Sequence, residues 1–81
     1  MDRKESIKIA FAKHLTDLLE QYRLKQNLNR ASLRKLAGRS NLEYSQVQRI
    51  FKGKVDVSLT TIVSLAEGLE VSLSKIMDFE R

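Results

Sequence analysis

The stretch Leu36-Ala37-Gly38-Arg39-Ser40-Asn41-Leu42-Glu43-Tyr44-Ser45-Gln46-Val47-Gln48-Arg49-Ile50 constrains this chain more than any other. Leu36, Ala37 and Ser40 recur one turn apart, as the inner face of a short helix does, and Val47 and Ile50 repeat that spacing. Only Asn41-Leu42-Glu43 separates the two sets, which leaves room for a tight turn and nothing else. Asn tolerates the left-handed backbone of such a turn better than other non-glycine residues. Ala37 is small enough to let a second helix cross close by. The pattern predicts two short helices packed steeply over a turn, a helix-turn-helix. An ordinary helical hairpin without a ligand has the same spacing, so the pattern alone leaves function open.

The flanking sequence supplies more helices. From Glu5 to about Gln26, Ile7, Phe11, Leu15, Leu18, Leu19 and Tyr22 recur at three- and four-residue steps, a stripe wide enough to face a core. Asn27-Leu28-Asn29-Arg30-Ala31 breaks this helix, because Asn competes with helical hydrogen bonding and favours turns and caps. Ser32 is the expected N-cap of the second helix, Leu33 to Ser40, with Asn29 as a rival that would lengthen it. The third helix is expected from Tyr44 to about Lys52, with Glu43 capping it and offsetting the dipole, and Gly53 stopping it. Ser58 caps a fourth helix, Leu59 to about Gly68, and Ser72 a short fifth one carrying Leu73, Ile76, Met77 and Phe79. The expectation is an all-α fold of five short helices, one domain over 1–81 with its helix-turn-helix core at about 32–52. Leu36, Ala37, Leu42, Val47, Ile50, Leu59, Ile62, Leu65 and Leu69 are its expected core.

Charge narrows the partner. The net charge is +5, and it is unevenly spread. From Gln21 to Lys54 nine Lys and Arg face a single acid, Glu43, whereas Val55 to Arg81 holds five acids and two bases. A basic block centred on a candidate reading element is the footprint of a nucleic-acid binder, although a solvated charged face looks the same in sequence. Enzyme chemistry finds no support. There is no glycine-rich phosphate loop, and the single histidine, His14, cannot form a metal site or a catalytic set alone. Cysteine is absent, which excludes disulfides and suits a reducing cytosol. No apolar run is long enough for a membrane span, and Met1 to Glu5 lacks the apolar block of a signal peptide. No cofactor, metal, membrane or small-molecule substrate is expected.

The sequence resembles the lambda-repressor-like, Cro-type helix-turn-helix DNA-binding domains of bacterial and phage regulators. Ser32-Leu33-Arg34-Lys35-Leu36-Ala37 matches the opening of the family's second helix, and Ser40-Asn41-Leu42-Glu43 its turn. Val47-Gln48-Arg49-Ile50-Phe51-Lys52-Gly53-Lys54 matches the end of its recognition helix. Ser58 to Ile62 and Leu65 to Leu73 match its last two helices. The likeness runs from about Phe11 to Phe79. Four departures stand out. The Asn27–Ala31 link is longer than usual, Phe51 replaces a common acid, and Val57 replaces a frequent proline. Leu33 occupies a position often held by a glutamine that touches the DNA backbone, a role leucine cannot take.

The resemblance implies a sequence-specific transcriptional regulator whose third helix enters the major groove. Tyr44, Ser45, Gln48 and Arg49 would face base edges, and Arg34, Arg39, Lys52 and Lys54 would meet phosphates. It implies a homodimer on a palindromic operator, with Met77 and Phe79 at the dimer interface, and a cytoplasmic location in the bacterial cytosol or on the nucleoid. The competing expectation is a protein-interaction adapter of the same fold that holds another regulator or the transcription machinery.

Overall fold

The computed structural model describes residues 3–79. Met1, Asp2, Glu80 and Arg81, which entered the sequence reading through their charge and the character of the N-terminus, lie outside the described residues. The fold is all-α: α1 Arg3–Lys25, α2 Leu33–Ser40, α3 Tyr44–Phe51, α4 Leu59–Leu69 and α5 Leu73–Ile76, with no strand among the described residues. The elements and their order are those expected. Helix α1 begins two residues before Glu5, and α4 runs one past Gly68.

Serine caps start three of the helices. The hydroxyls of Ser32, Ser58 and Ser72 accept the backbone N–H of Lys35, Thr61 and Lys75 at 3.1, 3.2 and 3.0 Å. Each satisfies one first-turn donor that would otherwise lack an intrahelical partner. Ser32 therefore prevails over Asn29. Glu43 does not cap α3 as expected, since its side chain makes no capping bond. It can offset the dipole only through its charge.

Four helices end by one device. Asn27, Asn41, Gly53 and Glu70 take left-handed backbone, with φ of 57°, 58°, 71° and 58°. The residue after each returns its N–H to a carbonyl five positions back: Leu28 to Arg23, Leu42 to Ala37, Lys54 to Arg49 and Val71 to Ala66, at 2.9–3.3 Å. This is the Schellman closure, which reverses the chain while satisfying terminal carbonyls. Gly53 is favoured on two counts. Its φ is positive, and a Cβ there would come within 3.3 Å of the Ile9 Cα and the Lys8 carbonyl of α1.

The core collects Phe11, Leu15, Leu18 and Leu19 of α1, Leu36 and Ala37 of α2, Val47 and Ile50 of α3, Leu65, Ala66 and Leu69 of α4, and Ile76 of α5. Leu42 and Ile62 are half-buried against it rather than enclosed. Leu59 is a correction: it is 67% exposed. The buried face of α4 is set by Thr61, Leu65, Ala66, Gly68 and Leu69, and Leu59, the first residue of the helix, stays exposed although it lies on the same stripe as Ala66. A count of apolar residues misplaces that face, because two of its positions are a threonine and a glycine. Thr61 stays dry at little cost, since its Oγ1 accepts from the Ser58 hydroxyl at 2.9 Å.

The closest approach joins α2 to α4. A Cβ on Gly68 would lie 2.0 Å from Ser40 Oγ and 3.0 Å from Leu36 Cδ1, so any larger residue there forces the Ser40 side chain to shift. Ser40 Oγ is itself buried there without a hydrogen-bond partner. Gly68→Ala should therefore cost about 1–3 kcal/mol through overpacking. Ser40→Ala should be neutral or should stabilise by about 1 kcal/mol, because it removes an unpaired hydroxyl. Urea unfolding of the two variants and their double should show Ser40→Ala recovering part of the Gly68→Ala loss.

Candidate nucleic-acid interface

Helix α3 has one apolar and one polar face. Val47 and Ile50 are buried, while Ser45 and Arg49 point to solvent on the opposite side. Tyr44 and Gln48, one turn apart, are half-buried along the edge next to Ser45, and the Gln48 amide donates to the Tyr44 hydroxyl at 3.1 Å. Arg34 of α2 lies over the Tyr44 ring at 4.1 Å from its centroid. That cation–π contact ties the start of α3 to α2 and holds Tyr44 sideways. The structure thus brings together all four residues expected to face bases, and adds Arg34 as their neighbour. Arg49 is the one long cationic side chain on the exposed face of α3.

The other basic residues separate into distinct places. Lys52 sits past the end of α3 beside α1, in a shallow groove with Lys13, Thr16 and Asp17. Lys54 is exposed just beyond Gly53. Arg39 is engaged within the protein. Its Nε donates to the Gly68 carbonyl at 2.8 Å, and its guanidinium stacks on Tyr22 at 4.1 Å. Helix α4 has no basic residue in its own last turn, so Arg39 of α2 supplies the cation that offsets the negative end of its dipole.

The link between α1 and α2 is also held by charge. Arg23 binds both carboxylate oxygens of Glu20 and donates to the Leu28 carbonyl at 3.0 Å. The hydrogen bonds from Arg23 hold the Glu20 carboxyl below its ordinary value, with charge attraction adding and desolvation opposing. A lowered carboxyl stabilises the fold at neutral pH, and that contribution is lost as pH falls through the folded-state value.

At the far end of the chain, Met77 is 46% exposed while Phe79 is half-buried. Phe79 packs on Phe11 at 5.0 Å between ring centroids and stacks with His14 at 5.9 Å. The His14 Nε2–H donates to the Lys75 carbonyl at 2.8 Å, which places the proton on Nε2. His14 thus fastens α5 to α1. Among the described residues no group of three or more His, Cys, Asp or Glu converges as a metal site, and no helix is long and apolar enough to cross a membrane.

A short five-helix scaffold with a three-residue turn between α2 and α3, and a polar face left open on α3, defines a DNA-binding helix-turn-helix protein of the transcription-regulator class. The chain belongs to the helix-turn-helix family of the lambda-repressor-like, Cro type: that family's model matches residues 19–76. Among solved structures it is similar to the restriction-modification controller protein C.AhdI from Aeromonas hydrophila, with 28% identity and a TM-score of 0.72. The likeness covers 89% of this chain and 98% of that one. Comparison with curated protein sequences gives no match.

The sequence reading missed the inward role of Arg39. An arginine one turn after Lys35 looks like any other member of a basic run, and only the fold brings Gly68 and Tyr22 to it. Arg39→Ala should lower unfolding free energy by about 1–2 kcal/mol, through loss of the carbonyl bond and the ring contact. Arg39→Lys should recover less than half of this, because an ammonium cannot stack and bond in one plane. Chemical denaturation of both variants measures the difference.

Proposed function

We propose that this chain is a sequence-specific regulator of transcription that reads DNA by laying α3 in the major groove. The observation that carries this reading is the exposed face of α3, where Ser45 and Arg49, flanked by Gln48 and Tyr44, stand on a rigid two-helix scaffold. Arg49 is suited to a bidentate contact with a guanine edge. Gln48 and Ser45 supply shorter hydrogen-bonding groups, and Tyr44 an edge for a thymine methyl or a phosphate. Arg34, Lys52 and Lys54 meet flanking phosphates, and Arg39 adds the Nη groups not used on Gly68. The likeness to a controller protein supports a regulatory role. Such a protein acts where the chromosome is, in the bacterial cytosol or on the nucleoid.

One short helix reads few base pairs, so the reading includes a homodimer on a palindromic operator with half-sites about 34–36 Å apart. Met77 and Leu73, one turn apart and 46% and 45% exposed, are the apolar side chains available at α5. Phe79 contributes only the part of its ring that Phe11 and His14 leave uncovered.

Titration against matched and mismatched duplexes at several salt concentrations tests the reading. Arg49→Ala should cost roughly 1–3 kcal/mol on the preferred sequence and relax selectivity at one base pair per half-site. Lys54→Ala should weaken preferred and random duplexes alike and reduce the salt dependence by about one ion per half-site. The reverse pattern would remove α3 from the groove, and no effect of either would favour an adapter.

Sedimentation tests the assembly. Met77→Asp should give a folded monomer whose operator affinity falls. A wild-type chain that stays monomeric, with half-site binding equal to full-site binding, would end the dimer proposal.

A further inference from the structure

The last turn of α1, the link that follows it and the outer flank of α2 enclose a cavity of about 250 Å3. Arg23, Arg30, Lys35 and Arg39 all line it, and no acidic side chain does. Tyr22 and Leu28 supply apolar wall. Arg23 is neutralised by Glu20, while Arg30, Lys35 and Arg39 form no salt bridge among the described residues and together hold the cavity at positive potential. Two of the four cations are fixed in place. Arg23 is held by Glu20 and the Leu28 carbonyl, and Arg39 by the Gly68 carbonyl and the Tyr22 ring. Arg30 and Lys35 have no acidic partner among the described residues. The first turn of α2 opens beside them, its positive dipole end adding to the field.

We propose that this cavity binds a phosphate group. A tetrahedral anion with several oxygens matches cations arriving from α1, the link and α2, whereas a planar carboxylate is satisfied by one guanidinium fork. The volume lies below the ~300–1,000 Å3 of drug-sized sites, which suits a single phosphate ester. The site is separate from the face of α3. Lys35 and Arg39 lie one turn apart on the flank of α2 that faces away from Arg34, the residue lying over Tyr44. Leu28, Asn29, Arg30 and Ala31 of the link between α1 and α2 build one wall. The phosphate belongs either to the backbone of DNA held by α3, in which case the inference rests on the proposed function, or to a free phosphorylated compound, in which case it does not.

The test is a titration of the full chain with inorganic phosphate at constant ionic strength, followed by 1H–15N spectra. Amides of residues 29–35 should shift saturably while those of α3 do not. The double variant Arg30→Gln/Lys35→Gln should weaken the response about tenfold, as loss of two solvent-facing ion pairs implies, and Lys25→Gln, outside the cavity, should leave it unchanged. A uniform unsaturable drift, or an equal response in the double variant, overturns the site. A random-sequence duplex then separates the sources, both of which keep the site: it displaces phosphate from these amides if the backbone occupies the cavity, and binds alongside it if a free compound does. Saturable phosphate binding without any duplex binding removes the DNA reading alone. Duplex binding without a saturable phosphate response removes the cavity assignment alone.

Discussion

The contact between Gly68 and Ser40 sets the distance between α2 and α4, and the other packing follows from it. At Gly68 no side chain of α4 intervenes, and the Ser40 and Leu36 side chains of α2 pack directly onto the α4 backbone. Leu36 then fills the space beside the crossing, and Arg39 comes within reach of the Gly68 carbonyl. The C-terminus of α2 is thereby fixed on both sides. Because only Asn41, Leu42 and Glu43 separate it from α3, the orientation of α3 is inherited from this crossing. The face that meets DNA in the proposed function contributes to its own placement through Tyr44, which packs against the core and carries the Arg34 contact.

The cost of that arrangement is carried in two places. Ser40 buries a hydroxyl without a partner, and Glu70 adopts left-handed backbone that a side chain with a Cβ enters at a cost of roughly 1–2 kcal/mol. Both lie at the ends of the helices that cross, the one at the end of α2 and the other just after α4. Local geometry has been given up there so that the two helices can terminate against each other. Hydrophobic burial across α1, α2, α3 and α4, around Leu15, Leu36, Val47 and Leu65, offsets it.

Much of this was legible in the sequence because the signals were local. Ser32, Ser58 and Ser72 announce helix starts by a chemistry that depends only on the next three residues, and Asn41 and Gly53 announce ends by backbone preference. Glu70 escaped because glutamate carries no such preference, so its conformation is imposed by the α4–α5 reversal. Leu59 was misplaced because apolar character was taken as burial, whereas Thr61 and Gly68, neither of them strongly apolar, define the inner face of α4. The residues of the α3 face were legible by elimination, being what remains once Val47 and Ile50 turn inward. The Tyr22–Arg39 stack was not, since it joins two positions whose proximity no spacing rule predicts. The same holds for the cavity around Arg30 and Lys35, where the basic residues could be counted but not gathered.

The repeated left-handed helix endings bear on how the chain reaches this fold. The reversals after α1, α2 and α3 fall on Asn27, Asn41 and Gly53, residues whose own backbone preference favours the left-handed conformation. The loops to be closed are short, so little chain entropy opposes bringing consecutive helices together. Topologies built from such near-neighbour reversals belong to the class that folds in microseconds to milliseconds. The Gly68–Ser40 crossing, like the Gly53 approach to α1, demands a particular register between helices that are not adjacent in the chain. A protein of this kind regains the exposed face of α3 quickly after each unfolding event, with the α2–α4 fit as a checkpoint.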